Sequence, residues 1–407
     1  MKILVQKYGG TSLASPQRIQ AVAKRVVDAF SKERMPMVVV VSAMGDTTDD
    51  LIQLSSQISS TPNLREYDAL IATGEMVSAA LLSMAIHALG VSAVSLTGTQ
   101  AGIKTENIHS KAKIVHIDIS RLRKELDQGN VVVVTGFQGF NDVQDVVTIG
   151  RGGSDTSAVA LAAALGAPVC EIYTDVEGIY TTDPRLVKDA SKLRDITYDE
   201  MLELAALGAK VLHPRSVECA KENGIIIHVR SSFSPNEGTF VKETSTMEAK
   251  RPITGATLSE EEAIVSISQI PDTPGVASII FSHLAQILVN VDMIVQSASE
   301  NGTTTISFTI HQDELPHAEA GIREVAGLLN AGEVRIDRDV AKVSIVGVGM
   351  ISKPGIAAKM FDIFASHGVN IKVISTSEIK ISCAISRRDG RKILQDIHAQ
   401  FGLDNLQ

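Results

Sequence analysis

The residues with chemistry to offer sit at the ends of apolar runs. The chain begins MKILVQKYGGTS, so Lys7 stands just before Gly9 and Gly10. Glycines after a strand let backbone N–H groups approach an anion, and a neighbouring lysine supplies a mobile positive charge. The order is the reverse of a P-loop, whose lysine follows its glycines. A second stretch, Thr148 to Ser157, reads TIGRGGSDTS and runs into AVALAAAL. Glycines, then Ser154 and Asp155 at an N-cap, then an Ala/Leu-rich helix form a helix start suited to an anion. Arg151 is either solvated or a planar fork for a carboxylate, and Asp155 is either a plain cap or part of a site. GRGGSD does not fit the dinucleotide fingerprint GxGxxG.

Three further stretches have the same double reading. SAMGDTTD, Ser42 to Asp49, is a small polar loop after an apolar run, a turn or a binding loop. Glu75 in ATGE enters an otherwise apolar helical stretch, where a solvated face explains most glutamates. YTDVEGIYTTDPR, Tyr173 to Arg185, carries two closely spaced acidic turns, either punctuation or a holder for a nucleotide and its magnesium.

These stretches must be positioned by the elements around them. Ile3 to Gln6, Met37 to Ser42, Val131 to Thr135, Val169 to Thr174 and Ile225 to Val229 read as strands, several rich in Val and Ile without polar alternation. Such runs fit central parallel strands covered on both faces. Helical stretches, Pro16 to Phe30, Glu66 to Leu89 and Thr156 to Leu165, alternate with them. The order predicts an α/β sandwich with a mostly parallel central sheet and ligands at the carboxyl ends of its strands.

The bulk numbers bound the partners. A chain of 407 residues, 44% hydrophobic and 21% charged, has room for two or three packed domains. A formal net charge of -9 without a dense basic block argues against nucleic acid or an anionic membrane as partner. The most apolar candidate span, Ala79 to Leu96, is interrupted by Ser83, His87 and Gly90, and the start lacks a signal-peptide pattern, so a cytoplasmic protein is expected. Cys170, Cys219 and Cys383 show no pairing or zinc spacing and read as small buried residues.

Polar, turn-rich text over Ser231 to Arg251 marks a boundary, and beyond it lies an internal repeat. Pro274-Gly275 aligns with Pro354-Gly355, Phe281 with Phe361, Asn290 with Asn370 and Ser297 with Ser377, all at an offset of 80. Each copy reads strand, Pro-Gly turn, helix, two strands and a helix (Pro316 to Asn330, Asp389 to Phe401), a βαββα pattern that needs one more strand. The expected domains are residues 1–245, 264–340 and 341–407.

Taken in order, VQKYGGTS, VVSAMGDTTD, ATGE, GFQG, GRGGSDTSA, YTDVEGIYTTDPR and GAKVLHPRS, with STSEIKIS in the last repeat, resemble the aspartokinases of the amino-acid kinase family across the whole chain. The two repeats resemble ACT domains, βαββαβ modules that bind amino acids. The resemblance implies a three-layer amino-acid kinase sandwich followed by two ACT-like regulatory domains. It also implies phosphorylation of L-aspartate by ATP to 4-phospho-L-aspartate, a step toward lysine, threonine, methionine and diaminopimelate.

For the site, it implies Lys7 between acceptor carboxylate and transferring phosphoryl group, with Tyr8, Gly9 and Gly10 about the phosphates. Arg151 would clamp the α-carboxylate, Glu75 and Asp155 would lie near the α-ammonium, and Thr48, Gly152, Gly153 and Ser154 would line the same pocket. Thr174, Asp175, Tyr180, Asp183, Arg185 and Lys210 would surround the nucleotide. Mg2+ would be held mainly by ATP and water, so no protein metal ligand is expected. His213 is expected to be structural.

In the ACT-like repeats, Pro-Gly turns open helices whose N–H groups suit an effector carboxylate. Lysine, threonine or both are the expected effectors, with Asp272 and Gly275 at one position and Gln296, Asn370 and Ile371 lining another. Exposed sheet edges imply a homo-oligomer, at least a dimer. Met247 is a candidate internal start for a separate regulatory subunit, and a fused homoserine dehydrogenase is not expected in 407 residues. The competing readings are a related kinase for another small acid, such as glutamate or carbamate, and a catalytically silent amino-acid sensor.

Overall fold

A computed structural model of the chain describes residues 3–209, 211–244 and 252–404. They form two compact units: residues 3–179, 192–206 and 211–244 make the first, and 180–191, 207–209 and 252–404 the second. Lys210 and Met247 lie outside the described residues.

In the first unit the chain runs β1 (Leu4–Tyr8), α1 (Pro16–Glu33), β2 (Met37–Val41), α2 (Thr47–Ile58), α3 (Leu64–Ile71), α4 (Thr73–Ala88) and β3 (Ala93–Leu96). It continues with β4 (Ile103–Thr105), β5 (Ile114–Ile117), α5 (Ser120–Asp127), β6 (Val131–Thr135), β7 (Gln138–Phe140), β8 (Val146–Thr148), α6 (Gly153–Leu165) and β9 (Val169–Thr174). The unit closes with β10 (Asp195–Thr197), α7 (Tyr198–Ala206), α8 (Pro214–Asn223), β11 (Ile226–Ser231) and β12 (Thr239–Lys242).

Eight strands form the main sheet in the order β10-β12-β11-β9-β1-β2-β6-β3. All its pairings are parallel except β11 with β12. Every residue of β2 and β6 is buried, as valine runs covered on both faces require. On one face Tyr8, Val39, Val41, Val131 and Val133 pack with Val22 and Val26 of α1 and Leu82 and Ile86 of α4. On the other, α6 lies against β1, β2 and β9. The result is a three-layer α/β sandwich with an added small sheet ordered β5-β4-β7-β8.

Two local differences from the sequence expectation matter for the site. Strand β1 extends to Tyr8, because its ladders continue to Val41 and Tyr173, so Lys7 stands within the strand. Helix α6 starts at Gly153, with Gly152 at φ 69 in the cap position, so Ser154 and Asp155 occupy its first turn and do not cap it. The long apolar helical stretch Leu64–Ala88 has the length and composition to cross a membrane, but half of its most apolar window is buried inside the protein. It is broken at Ala72 into α3 and α4 and buries Asp68 and Glu75, as a core segment with polar duties does.

The second unit contains β13 (Gly255–Pro271), α9 (Val276–Gln286), β14 (Ile294–Gln296), β15 (Thr303–His311), α10 (Leu315–Leu328) and β16 (Val334–Val346). It ends with α11 (Ile356–Ser366), β17 (Val373–Thr376), β18 (Lys380–Ile385) and α12 (Gly390–Gln400). Its sheet is ordered β14-β15-β13-β16-β18-β17. β13 and β16 are long because each serves both repeats. The missing strand of the second repeat is residues 255–259, which pair with 342–346 ahead of the first repeat in the chain. Residues 180–191 belong to this unit because Leu186 and Val187 pack into the core beneath α11 and α12.

Candidate active site

A cavity of about 630 Å³ opens where β1 and β2 end and α6 begins. Its place at the carboxyl ends of parallel strands is the usual one for ligands in open α/β sheets. Lys7, Gly10, Thr48 and Glu75 line it, and so do Arg151, Gly152, Gly153, Ser154 and Asp155. Side chains far apart in sequence therefore share one hollow.

Lys7 and Asp155 face each other, Nζ to Oδ1 at 2.5 Å, with both side chains about 11% exposed. The contact is an ion pair between a strand and the first turn of a helix. A Cβ on Gly10 would lie 2.9 Å from the Ala43 carbonyl and 3.1 Å from that of Gly45, so only glycine lets the β1 and β2 loops approach this closely. The N–H of Gly9 donates to the Tyr173 carbonyl at 3.1 Å, which corrects the expectation that both glycines of the pair offer donors to a ligand.

Glu75 is 3% exposed. Its Oε1 accepts from the Ala43 N–H at 3.1 Å, while the buried Oε2 has no hydrogen-bond partner among the described residues. Burial lifts its pKa to about 7, outweighing the opposing backbone hydrogen bonds. Arg151 is exposed at the cavity wall. Cationic Lys7 and Arg151 and acidic Glu75 and Asp155 around one hollow suit a ligand that carries both carboxylate and ammonium groups.

The Arg151 loop is braced from behind. A Cβ on Gly152 would fall 2.2 Å from the His213 ring, so that ring packs directly on the loop backbone. His213 accepts from the Arg215 N–H through Nδ1, and burial with the Arg215 charge lowers its pKa, a structural neutral imidazole. Arg215 donates to the carbonyls of Ile149 (2.5 Å) and Ala112 (2.8 Å). Phe137 lines the cavity at φ 67, a conformation costly for a bulky residue, and its carbonyl receives the Ile149 N–H at 2.8 Å. Neither Arg215 nor Phe137 stood out in the sequence, although both lie in the quoted stretches GAKVLHPRS and GFQG.

The remaining candidates lie elsewhere. The Tyr8 ring is fully buried, stacked 4.8 Å from Tyr173, so the expected nucleotide contact has no side chain to make it. Thr174 ends β9 and Asp175 follows it, with the Thr174 hydroxyl donating to Asp175 at 3.1 Å. Tyr180, Asp183 and Arg185 belong to the second unit, where Arg185 and the half-buried Asp183 form an ion pair at 2.7 Å that holds the Asp183 carboxyl below its ordinary pKa. Also in the second unit, Gly275 and Gly355 start α9 and α11 with φ values of 98 and 90. Asp272, Gln296 and Asn370 are exposed, and Ile371 packs at the edge of a core. Among the described residues no group of three His, Cys, Asp or Glu could hold a metal ion.

The sequence and the fold match a known kinase class. Residues 2–231 match the amino acid kinase family, and residues 265–324 and 343–401 match an ACT domain. An aspartokinase of Bacillus sp. (strain MGA3) is 49% identical, covering 99% of this chain and 98% of its own. A crystal structure of aspartate kinase from Synechocystis is 46% identical with a TM-score of 0.55, covering 99% of this chain and 70% of that one. Escherichia coli aspartokinase III, in complex with aspartate and ADP, shares the fold with a TM-score of 0.82 at 24% identity over 98% and 99% of the two chains. The fold and the family match make this chain a member of the amino acid kinase family. Within that family it belongs to the aspartokinases.

Proposed function

We propose that the protein transfers the γ-phosphoryl group of ATP to the β-carboxylate of L-aspartate, giving ADP and 4-phospho-L-aspartate. A carboxylate oxygen of the acceptor forms the new bond to the γ-phosphorus, and the bond from that phosphorus to the β,γ-bridging oxygen breaks. The acceptor, with an ordinary pKa near ~3.9, is already ionised at neutral pH and requires no base. The barrier is one of repulsion between anions, so catalysis rests on positioning and compensating charge.

The observation that carries this reading is the grouping of Lys7, Arg151, Glu75 and Asp155 in one cavity. Lys7 offsets the charge that builds between carboxylate and phosphate. Arg151 binds the α-carboxylate, and Glu75, with its unpartnered oxygen, and Asp155 receive the α-ammonium. Thr48, Gly152, Gly153 and Ser154 shape the same pocket. Gly10 is the phosphate-side donor, since the Gly9 N–H is engaged by Tyr173. Thr174 and Asp175 take the nucleotide; Tyr180, Asp183, Arg185 and Lys210 rest on the motif alone. Magnesium, carried by the nucleotide, would neutralise phosphate charge.

The ACT-like repeats extend the reading to feedback control by lysine, threonine or both, and to a homo-oligomer joined through their sheet edges. The repeated Pro-Gly helix starts support it. The test is an initial-rate assay of ADP release with MgATP and a panel of L-aspartate, L-glutamate and carbamate, repeated with lysine and threonine alone and together. Turnover confined to aspartate is expected. Preference for another acid overturns the substrate, and flat effector titrations overturn the regulation.

A further inference from the structure

Asp68 stands one layer behind the cavity. It lies on α3, is fully buried, and does not line the hollow, whereas Tyr67 and Ile71 of the same helix do. A carboxylate so placed needs several donors. Its Oδ2 accepts from His109 Nδ1 at 2.8 Å and from the Ser110 N–H at 3.0 Å. Its Oδ1 accepts from the Thr148 hydroxyl at 2.5 Å and from that of Ser110 at 3.5 Å.

Two of those donors, Ser110 and Thr148, do line the cavity. Thr148 ends β8, and the chain turns directly from it through Ile149 and Gly150 into Arg151. The Thr148 carbonyl also receives the Ala112 N–H at 3.2 Å, which ties the segment carrying Ser110 to the same strand end. From the other side Arg215, on α8, holds the carbonyls of Ile149 and Ala112. The root of the Arg151 loop is thus gripped between a buried carboxylate and a guanidinium, each contributed by a different helix.

We infer that Asp68 is a positioning residue for acceptor binding: through Thr148 and Ser110 it fixes the root of the loop that presents Arg151. The inference rests on the proposed aspartate kinase reaction. A carboxylate that only docked α3 would, when altered, lower stability and disturb both substrates alike. A positioning carboxylate affects the acceptor selectively.

The test is Asp68→Asn, which keeps volume and one acceptor oxygen but turns an amide toward donors. Thr148→Val, which removes one hydroxyl at nearly constant shape, accompanies it. For Asp68→Asn the expected result is a KM for aspartate raised about tenfold or more, with the KM for ATP within about twofold of wild type. Thr148→Val shifts the same parameter in the same direction by less, and it decides the matter if Asp68→Asn does not fold. Amide hydrogen exchange over residues 149–153, read without substrate, should quicken in Asp68→Asn while α1 is unchanged. An aspartate KM within about twofold, or equal rises in both KM values, overturns the inference. Unchanged exchange at the loop overturns it as well. A wild-type enzyme inactive on aspartate whose loop still loosens in Asp68→Asn removes the reaction assignment and leaves the bracing of the loop standing.

Discussion

Lys7 and Asp155 form a nearly buried ion pair at 2.5 Å, joining the end of the central strand β1 to the first turn of α6. In the proposed reaction both groups exchange this mutual contact for substrate, the ammonium toward phosphate and acceptor, the carboxylate toward an α-ammonium. Lys7→Ala is expected to lower kcat on the order of 10²–10³-fold, the scale for losing one well-placed charge-stabilising donor. Circular dichroism should remain that of the wild type. Because the two residues act as a unit, Lys7→Ala combined with Asp155→Ala should cost far less than the product of the single effects. Near-normal turnover of folded Lys7→Ala would sink the assignment.

Arg151 can serve a substrate carboxylate with two parallel N–H donors, which lysine cannot reproduce. Arg151→Lys should therefore raise the KM for aspartate by about tenfold or more while the KM for ATP stays close to wild type. Steady-state kinetics with each substrate varied in turn give the answer; an unaltered aspartate KM excludes the clamp.

Glu75 links activity to pH. Its carboxyl titrates near 7 because burial disfavours the charged form. Between its ordinary value of 4.5 and about 7, the unfolded chain has lost this proton and the folded chain keeps it. Stability therefore falls as pH rises through that window, by about 3 kcal/mol at the upper end. Glu75→Gln should be more stable than wild type at pH 8, with the difference vanishing toward pH 4, in urea titrations. Activity moves oppositely: kcat/KM for aspartate should drop as pH falls below 7 in wild type, and that inflection should be absent in the variant. An inflection that persists in Glu75→Gln assigns it to another group.

Much of this arrangement was legible in the sequence, for definable reasons. The valine runs of β2 and β6 are apolar throughout because both faces are covered, so they announce central strands. The short strands β4, β7 and β8 have three residues each, too few to show a period, and went unread. The fourth strand of the second repeat escaped because it precedes the first repeat in the chain. The charged residues of the cavity flank glycines and strand ends, where chemistry is expected. Asp68 and Arg215 reach partners about 80 and 66 residues away, a proximity that only the folded chain creates. The apolar run stops at Gln6, yet a parallel ladder, which sequence does not display, carries β1 on through Lys7 to Tyr8.

The two repeats are joined by buried charge as well as by shared strands. Lys342, 3% exposed on β16, lies 2.7 Å from Glu262 on β13 and 2.5 Å from Asp292 in the loop before β14. Burial alone would lower the lysine pKa, but the two carboxylates outweigh it and raise it. The position of Asp292 in the first repeat is taken in the second by Lys372, which contacts Asp337 at 2.8 Å. Acidic side chains of the first repeat thus meet basic ones of the second, a pattern that favours pairing of unlike repeats and opposes pairing of like ones. Lys342→Met leaves the Glu262 carboxylate buried without its cation and should destabilise the protein by about 3 kcal/mol or more. Because the lysine pKa is raised, the lost stabilisation is present at and below its ordinary range and fades only as pH climbs through the raised value. The deficit should therefore be constant from pH 6 to 9 in chemical denaturation. Lys342→Met combined with Glu262→Leu should recover most of it, since a matched apolar pair incurs no charge-burial penalty. A single variant as stable as wild type would show that the seam is held by its strands alone.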